Sequence, residues 1–415
     1  MATRSLFLAG NNIGSGISSN NVPFDGSIHG KMTAVLTSVS PSYYQYRAAV
    51  PFSVSKLRII SVNASTGTGR NITATVNEAT TPMTVALPDG VAAIGTSQID
   101  SVDVISVAAG DKVGLKSFRG SGTFAYTASA VITTPGNSAI GPLLATGSLS
   151  WTTLATRRGS ISGTLSIAAT SAAETLGAVM STTGVMRGLF TFVSANATTG
   201  AGVGTVTLHN NATSTGIAIS IGIGETGYFF ENTSSAAFDD GDYLDVLLTG
   251  TTGNSVTVTA IGATAVYDGR SFDVTDYHSR ALNFNNSTSH WGLTGGDGGA
   301  AAGPLGRAET TIDFPFKLDR FHVRANSTYD VDEVLEILVD GVASGITVTV
   351  PAGAVTIPTY SDDAHPVEYP AGSKVAIRAQ PVGSAPTSGS FNFISHRLQI
   401  TDLTPPDWRP RVVFH

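Results

Sequence analysis

Four carboxylates crowd one short stretch of the chain: Asp239-Asp240-Gly241-Asp242, with Asp245 three residues further on. Hard cations bind where several oxygens converge, so the run resembles a fragment of a calcium loop. It lacks the twelve-residue ligand spacing and the closing glutamate of such a loop. We expect a solvated turn entering a strand, with no metal. The histidines, His29, His209, His278, His290, His322, His365, His396 and His415, are scattered. No pair has zinc spacing with a third ligand, although His278 and His290 could meet in space. There is no Gly-x-Ser-x-Gly elbow and no Walker A run. The glycine-rich segment 295–303 lacks the flanking strand and helix of a nucleotide site and reads as a contact loop. The sequence therefore predicts no catalytic residue, no cofactor and no hydrolytic activity.

The acidic turn is one of three. Val107-Ala108-Ala109-Gly110-Asp111-Lys112-Val113, Phe238-Asp239-Asp240-Gly241-Asp242-Tyr243-Leu244 and Tyr369-Pro370-Ala371-Gly372-Ser373-Lys374-Val375 share one pattern. Their glycines are evenly spaced, since 241 − 110 = 372 − 241 = 131. Other series keep the register: Leu57, Leu189 and Phe321; Val76, Leu208 and Val339; Val85, Ile217 and Val348. Several anchors in one register mean one structural unit repeated in tandem. Three copies predict three domains, 1–140, 141–270 and 271–415, each of a size usual for one domain.

Composition narrows the class. The chain of 415 residues has no cysteine, so disulfides and thiolate metal sites are excluded. Charged residues are only 13%, while hydrophobic ones reach 41% and glycine numbers 46, which suits a rigid β protein and not a disordered one. The formal net charge of −7 disfavours nonspecific nucleic-acid binding. No stretch approaches a membrane helix, and the apolar run at Leu6-Phe7-Leu8 is too short for a signal-peptide core.

Along the first copy, period-two runs separated by Gly, Pro and Asn predict strands at 32–36, 46–51, 57–62, 72–76, 83–87, 101–107, 112–117 and 123–133. Eight short strands are what a jelly roll needs. Residues 10–26 read as a loop. The patch 171–180 is either a helix or a first strand. Asn63-Ala64-Ser65, Asn196-Ala197-Thr198 and Asn326-Ser327-Thr328 are sequons at equivalent places, read as a shared turn. Trp151, Trp291 and Trp408 are candidates for sugar stacking but suit core and interface roles better. The tail from Thr404 to His415 is held extended by Pro405, Pro406 and Pro410. Its Trp408, Arg409, Arg411 and Phe414 are the candidate interface residues, docking on another protomer or a particle, or covering an edge of the third copy.

One resemblance follows from these residues. Copy three reads Leu338-Val339-Asp340-Gly341, Ile346-Thr347-Val348-Thr349-Val350, Ala371-Gly372-Ser373-Lys374-Val375 and Phe391-Asn392-Phe393. This resembles the jelly-roll-like repeats of tailed-bacteriophage capsid decoration, head-fibre and tail-fibre proteins. Ser373 departs from the aspartate frequent in that pattern, and the middle copy matches it weakly. The resemblance implies an all-β protein of three tandem β-sandwich domains of about 130 residues each. It implies a non-enzymatic virion protein, assembled in bacterial cytoplasm, acting through contacts with itself as a homotrimer and with capsid or tail components. A tail-fibre or cell-surface adhesin binding host surface glycan is the alternative. Neither nucleic acid nor membrane is an expected partner.

Overall fold

The computed structural model describes residues 2–11, 19–23, 45–61, 64–118, 120–122, 126–152, 156–165, 167–169, 177–197, 204–250, 255–283, 288–293, 305, 308–327, 329–353, 359–383 and 391–405. The protein is all-β, and no α-helix occurs among the described residues. Among the described residues, eight longer strands frame the first third: β1 (Ala2–Asn11), β2 (Ser19–Pro23), β3 (Phe52–Ser61), β4 (Asn71–Val76), β5 (Ala79–Ala86), β6 (Ser97–Val107), β7 (Lys112–Phe118) and β8 (Tyr126–Pro135), with short strands at Tyr46–Arg47, Ser65–Gly67 and Gly90–Ala92. They form two antiparallel sheets, ordered β1-β8-β3-β6 and β2-β7-β4-β5. The chain thus alternates between sheets in the crossing order of a jelly roll.

The same order recurs twice. The second set is β9 (Ile140–Thr152), β10 (Arg157–Gly159), β11 (Gly184–Asn196), β12 (Gly204–Asn210), β13 (Thr213–Ile221), β14 (Gly227–Phe238), β15 (Tyr243–Thr249) and β16 (Ser255–Tyr267). Its sheets run β9-β16-β11-β14 and β10-β15-β12-β13, with the short strands Gly163–Thr164 added beside β9 and Ile167–Ala169 beside β10. The third set is β17 (Ser271–Asn283), β18 (Ser289–Trp291), β19 (Phe316–Ser327), β20 (Glu333–Val339), β21 (Val342–Val350), β22 (Thr359–Asp362), β23 (Lys374–Pro381) and β24 (Phe391–Asp402). Its sheets run β17-β24-β19-β22 and β18-β23-β20-β21.

Period two places the core. On β5, Met83 and Val85 are buried while Thr84 and Ala86 face solvent. The anchor series Leu57, Leu189 and Phe321 is fully buried, as are Val85, Ile217 and Val348. The inner sheets differ, because both of their faces are covered. On β8, Ala128, Ala130 and Ile132 join one apolar cluster, whereas Val131, pointing the other way, joins residues of all three copies.

One expectation needs correction. Residues 10–26 are not all loop: Asn11 ends β1, and Ser19–Pro23 form β2 against β7, where a polar sequence is tolerated at a sheet edge. The patch 171–180 contains a strand, Ala178–Val179, pairing with β15; the rest of it up to residue 176 lies outside the described residues. The strand expected at 32–36 and the loop 295–303 also lie outside them.

Candidate functional site: three seams sealed by a repeated strap

The repeated turn does a definable job. Gly110, Gly241 and Gly372 have φ of 91°, 91° and 92°, a backbone that side chains resist. That conformation aims each glycine N–H at a short segment leading into the copy. Gly110 donates to Ala48 O (2.7 Å), Gly241 to Met180 O (2.9 Å) and Gly372 to Ile312 O (2.8 Å). The bonds are returned from Ala48 N to Asp111 O (2.9 Å), Met180 N to Asp242 O (2.8 Å) and Ile312 N to Ser373 O (3.0 Å). Just before these residues lie two-residue strands, Tyr46–Arg47, Ala178–Val179 and Thr310–Thr311, paired with β7, β15 and β23. We call these segments straps; their starts are 132 residues apart, since 178 − 46 = 310 − 178.

A hairpin turn grips the other side. Asn77, Asn211 and Asp340, with φ of 50°, 48° and 50°, join the strands β4–β5, β12–β13 and β20–β21. Asn and Asp tolerate this left-handed conformation best after glycine. Their side-chain oxygens accept the N–H of Lys112 (3.0 Å), Tyr243 (3.1 Å) and Lys374 (2.9 Å). Asp242 accepts from Asp239 N at 2.8 Å and from the side-chain amides of Asn210 and Asn211. Burial opposes its ionisation, but these donors prevail and hold the Asp242 carboxyl below its ordinary value. Asp245 points elsewhere: it is fully buried and accepts from Arg158 Nη1 at 2.8 Å. Burial raises its pKa to about 6, against the pull of Arg158. The acidic run is therefore a hydrogen-bonded turn plus a separate ion pair, and no group of three potential metal ligands occurs among the described residues.

Each strap ends in the next copy. Ala49, Ser181 and Asp313, again 132 apart, are the contact residues. Ala49 O accepts from Asn232 Nδ2 (3.3 Å), and its methyl lies where a side chain on Gly188 would sit, only 2.4 Å from an ideal Cβ. Ser181 donates its N–H (3.0 Å) and its hydroxyl to Asp273, while its carbonyl accepts from Gln399 Nε2 (3.0 Å). Asp313 accepts from Arg58 Nε (2.9 Å) and Nη2 (2.6 Å), and its carbonyl accepts from Lys56 Nζ (2.7 Å). The first copy thus docks on the second, the second on the third, and the third on the first. The three copies close a ring within one chain.

The seams share a position and differ in chemistry. Between copies one and two the contact is aromatic: Tyr46 meets Phe190 edge-on at 5.9 Å, its hydroxyl bonds Thr264, and Arg47 lies 4.3 Å over the Phe230 ring. Gly262 leaves room for Phe190, whose ring atom is 2.6 Å from an ideal Cβ there. Between copies three and one the contact is the Arg58–Asp313 pair, with side chains 18% and 10% exposed. Between copies two and three it is polar, with Arg320 pairing Asp240 at the rim.

A further repeat escaped the sequence reading. Asp100, Glu231 and Asp362 pair across from Leu57, Leu189 and Phe321, and 231 − 100 = 362 − 231 = 131. Each carboxylate caps backbone N–H groups in its own edge strand or just after it: Val102 and Asp103, Thr233 and Ser234, and Ala364. Asp100 and Asp362 also bind Thr84 N and Thr347 N in the facing sheet, tying the two sheets together. The spacing was readable; the change from Asp to Glu hid it.

Of the sequon asparagines, Asn196 donates to Gly222 O (2.8 Å) and Glu225 O (3.0 Å), a turn-closing role. Trp151 is buried. Trp408, Arg409, Arg411 and Phe414 lie outside the described residues, as do the side chains of His278 and Trp291.

No family model and no curated protein matches the chain. Among solved structures, it is similar to the infectious bursal disease virus VP2 subviral particle, at 13% identity over 64% of this chain and 72% of that chain, TM-score 0.17. The Gx strain structure of the same virus gives 11% identity, 97% and 78% coverage, and TM-score 0.18. The insecticidal delta-endotoxin Cry8Ea1 of Bacillus thuringiensis gives 9% identity, 94% and 60% coverage, and TM-score 0.18. Scores this low carry no argument about role.

Proposed function

We propose that this chain is a non-enzymatic bacteriophage virion structural protein, most specifically a capsid decoration or head-fibre protein acting through protein–protein contacts. The observation that carries this reading is the closed ring of three jelly rolls, in which charged and aromatic side chains are spent on seams. Such a chain is a rigid block made by burial of surface, which suits addition to a particle. The resemblance of its repeated strands and turns to phage decoration and fibre repeats points the same way. On this reading the partners are capsid or tail components and further copies of the chain. A homotrimer of chains must then use outer surfaces, because the strap faces are filled from within. Immunogold labelling of purified virions tests the proposal: label on heads supports it, and label on tail tips favours the adhesin alternative. Absence of the protein from particles refutes both virion readings and leaves the cell-surface adhesin.

A further inference from the structure

One row of side chains in the third copy lacks partners that its counterparts have. Thr275 on β17, Arg397 on β24 and His322 on β19 stand in register across three neighbouring strands. Residues directly opposite in a sheet project from the same face. That face is the one covered by the second copy, since Asp273 and Gln399, two positions along the same strands, both bond Ser181. The equivalent rows are Leu8-Ser129-Arg58 and Leu144-Gly262-Phe190. The first is closed by Asp313 on Arg58, and the second by the Phe190 ring over Gly262. In the third, Ser181 holds the place that Asp313 holds in its strap, so that strap residue supplies no carboxylate.

Arg397 is only 2% exposed, yet Nε, Nη1 and Nη2 all lack a hydrogen-bond acceptor, and so does the buried Thr275 hydroxyl beside it lack a partner. A guanidinium does not deprotonate in proteins, and a buried charge left without acceptors is strongly destabilising. Asp273, Asp240 and Asp363 favour the Arg397 charge through space, but none of them hydrogen-bonds it. Asp240 pairs with Arg320, Asp363 lies 3.1 Å from His322, and Asp273 is held by Ser181 and Thr182. Burial, helped by the Arg397 charge, pushes His322 down to about 3, leaving a neutral ring in the row. Convergent donors with no acceptor call for a group that only accepts.

We propose that this row is a binding site for a small monovalent anion, of halide or carboxylate size, held by the Arg397 guanidinium and the Thr275 hydroxyl. The anion supplies the missing acceptor and fixes the second copy on the third. Bromide is the probe, and the full chain is the sample. Crystals grown in sodium bromide should give an anomalous peak within hydrogen-bond distance of both side chains. In solution, replacing a bulky organic anion by bromide at constant ionic strength should raise the melting temperature saturably. Thr275→Val should raise the half-saturating concentration by about 10-fold or more, the worth of one hydrogen bond to a charged group. Arg397→Met should abolish the response; if that variant does not fold, Thr275→Val and the crystal decide. Water alone at the row overturns the proposal. So does a peak without a saturable solution response, which is binding at crystal concentration only. An unchanged bromide response in Thr275→Val overturns it as well.

Discussion

The seam between copies three and one closes the ring without help from a linker, because these copies are not consecutive in the chain. Its main clasp is Asp313 gripped by two nitrogens of Arg58, which also donates to Ser97 Oγ at 3.0 Å. Breaking a fully buried pair by removing one partner costs about 3–5 kcal/mol. These side chains are 18% and 10% exposed, so water reaches the survivor, and we expect Arg58→Met to cost about 2–3 kcal/mol. Asp313→Asn should cost less, since the amide still accepts one bond and the carbonyl keeps Lys56 Nζ. The double variant should lose less than the sum of the singles, by on the order of 1–2 kcal/mol. The assay is urea unfolding of the four proteins at equal concentration. Lys317→Met, which removes a partly exposed pair with Asp319 inside one strand, serves as the control and should cost under about 1 kcal/mol. A single-variant loss no larger than that control, or strict additivity, refutes the argument that this pair closes the ring.

Four further outcomes are expected. Gly241→Ala should destabilise by about 1–2 kcal/mol through backbone strain alone, since φ is 91° and nothing lies within 4 Å of the added carbon; urea midpoints check this. Asp100→Ala should lose about 1–2 kcal/mol in the same assay, because it strips acceptors from Thr84, Val102 and Asp103. Burial raises Glu333 from its ordinary 4.5 to about 7, so its folded pKa lies above its unfolded one, and the fold is favoured by the protonated form below 4.5 and penalised as pH rises towards 7. Glu333→Gln should therefore melt like the parent at pH 4 and higher than it at pH 8, a gap that a pH series of melting curves reads. Deleting residues 405–415 should abolish particle attachment or self-association with unchanged melting, as light scattering and calorimetry can show; a lower melting temperature with intact assembly means that the tail covers an edge instead, and no effect on either refutes both.

The sequence by itself determined the repeat, the strand class and the turns. Gly110, Gly241 and Gly372 were legible because a left-handed turn admits few residues, and Leu57, Leu189 and Phe321 because a core position admits only apolar ones. Both constraints are local or nearly so, and they leave periodic marks. What the turns are for was not legible. Gly110 aims at Ala48, some sixty residues away, and Ala49 in turn meets Gly188 in the next copy. Nothing in the types Ala49, Ser181 and Asp313 says that they share a position, since each matches a different partner. Seams are selected by complementarity, which fixes pairs and leaves single residues free to vary. Only the tertiary structure decided that three jelly rolls make one ring, by closing the third copy onto the first, and that Arg397 lies sealed, by laying the second copy on the third.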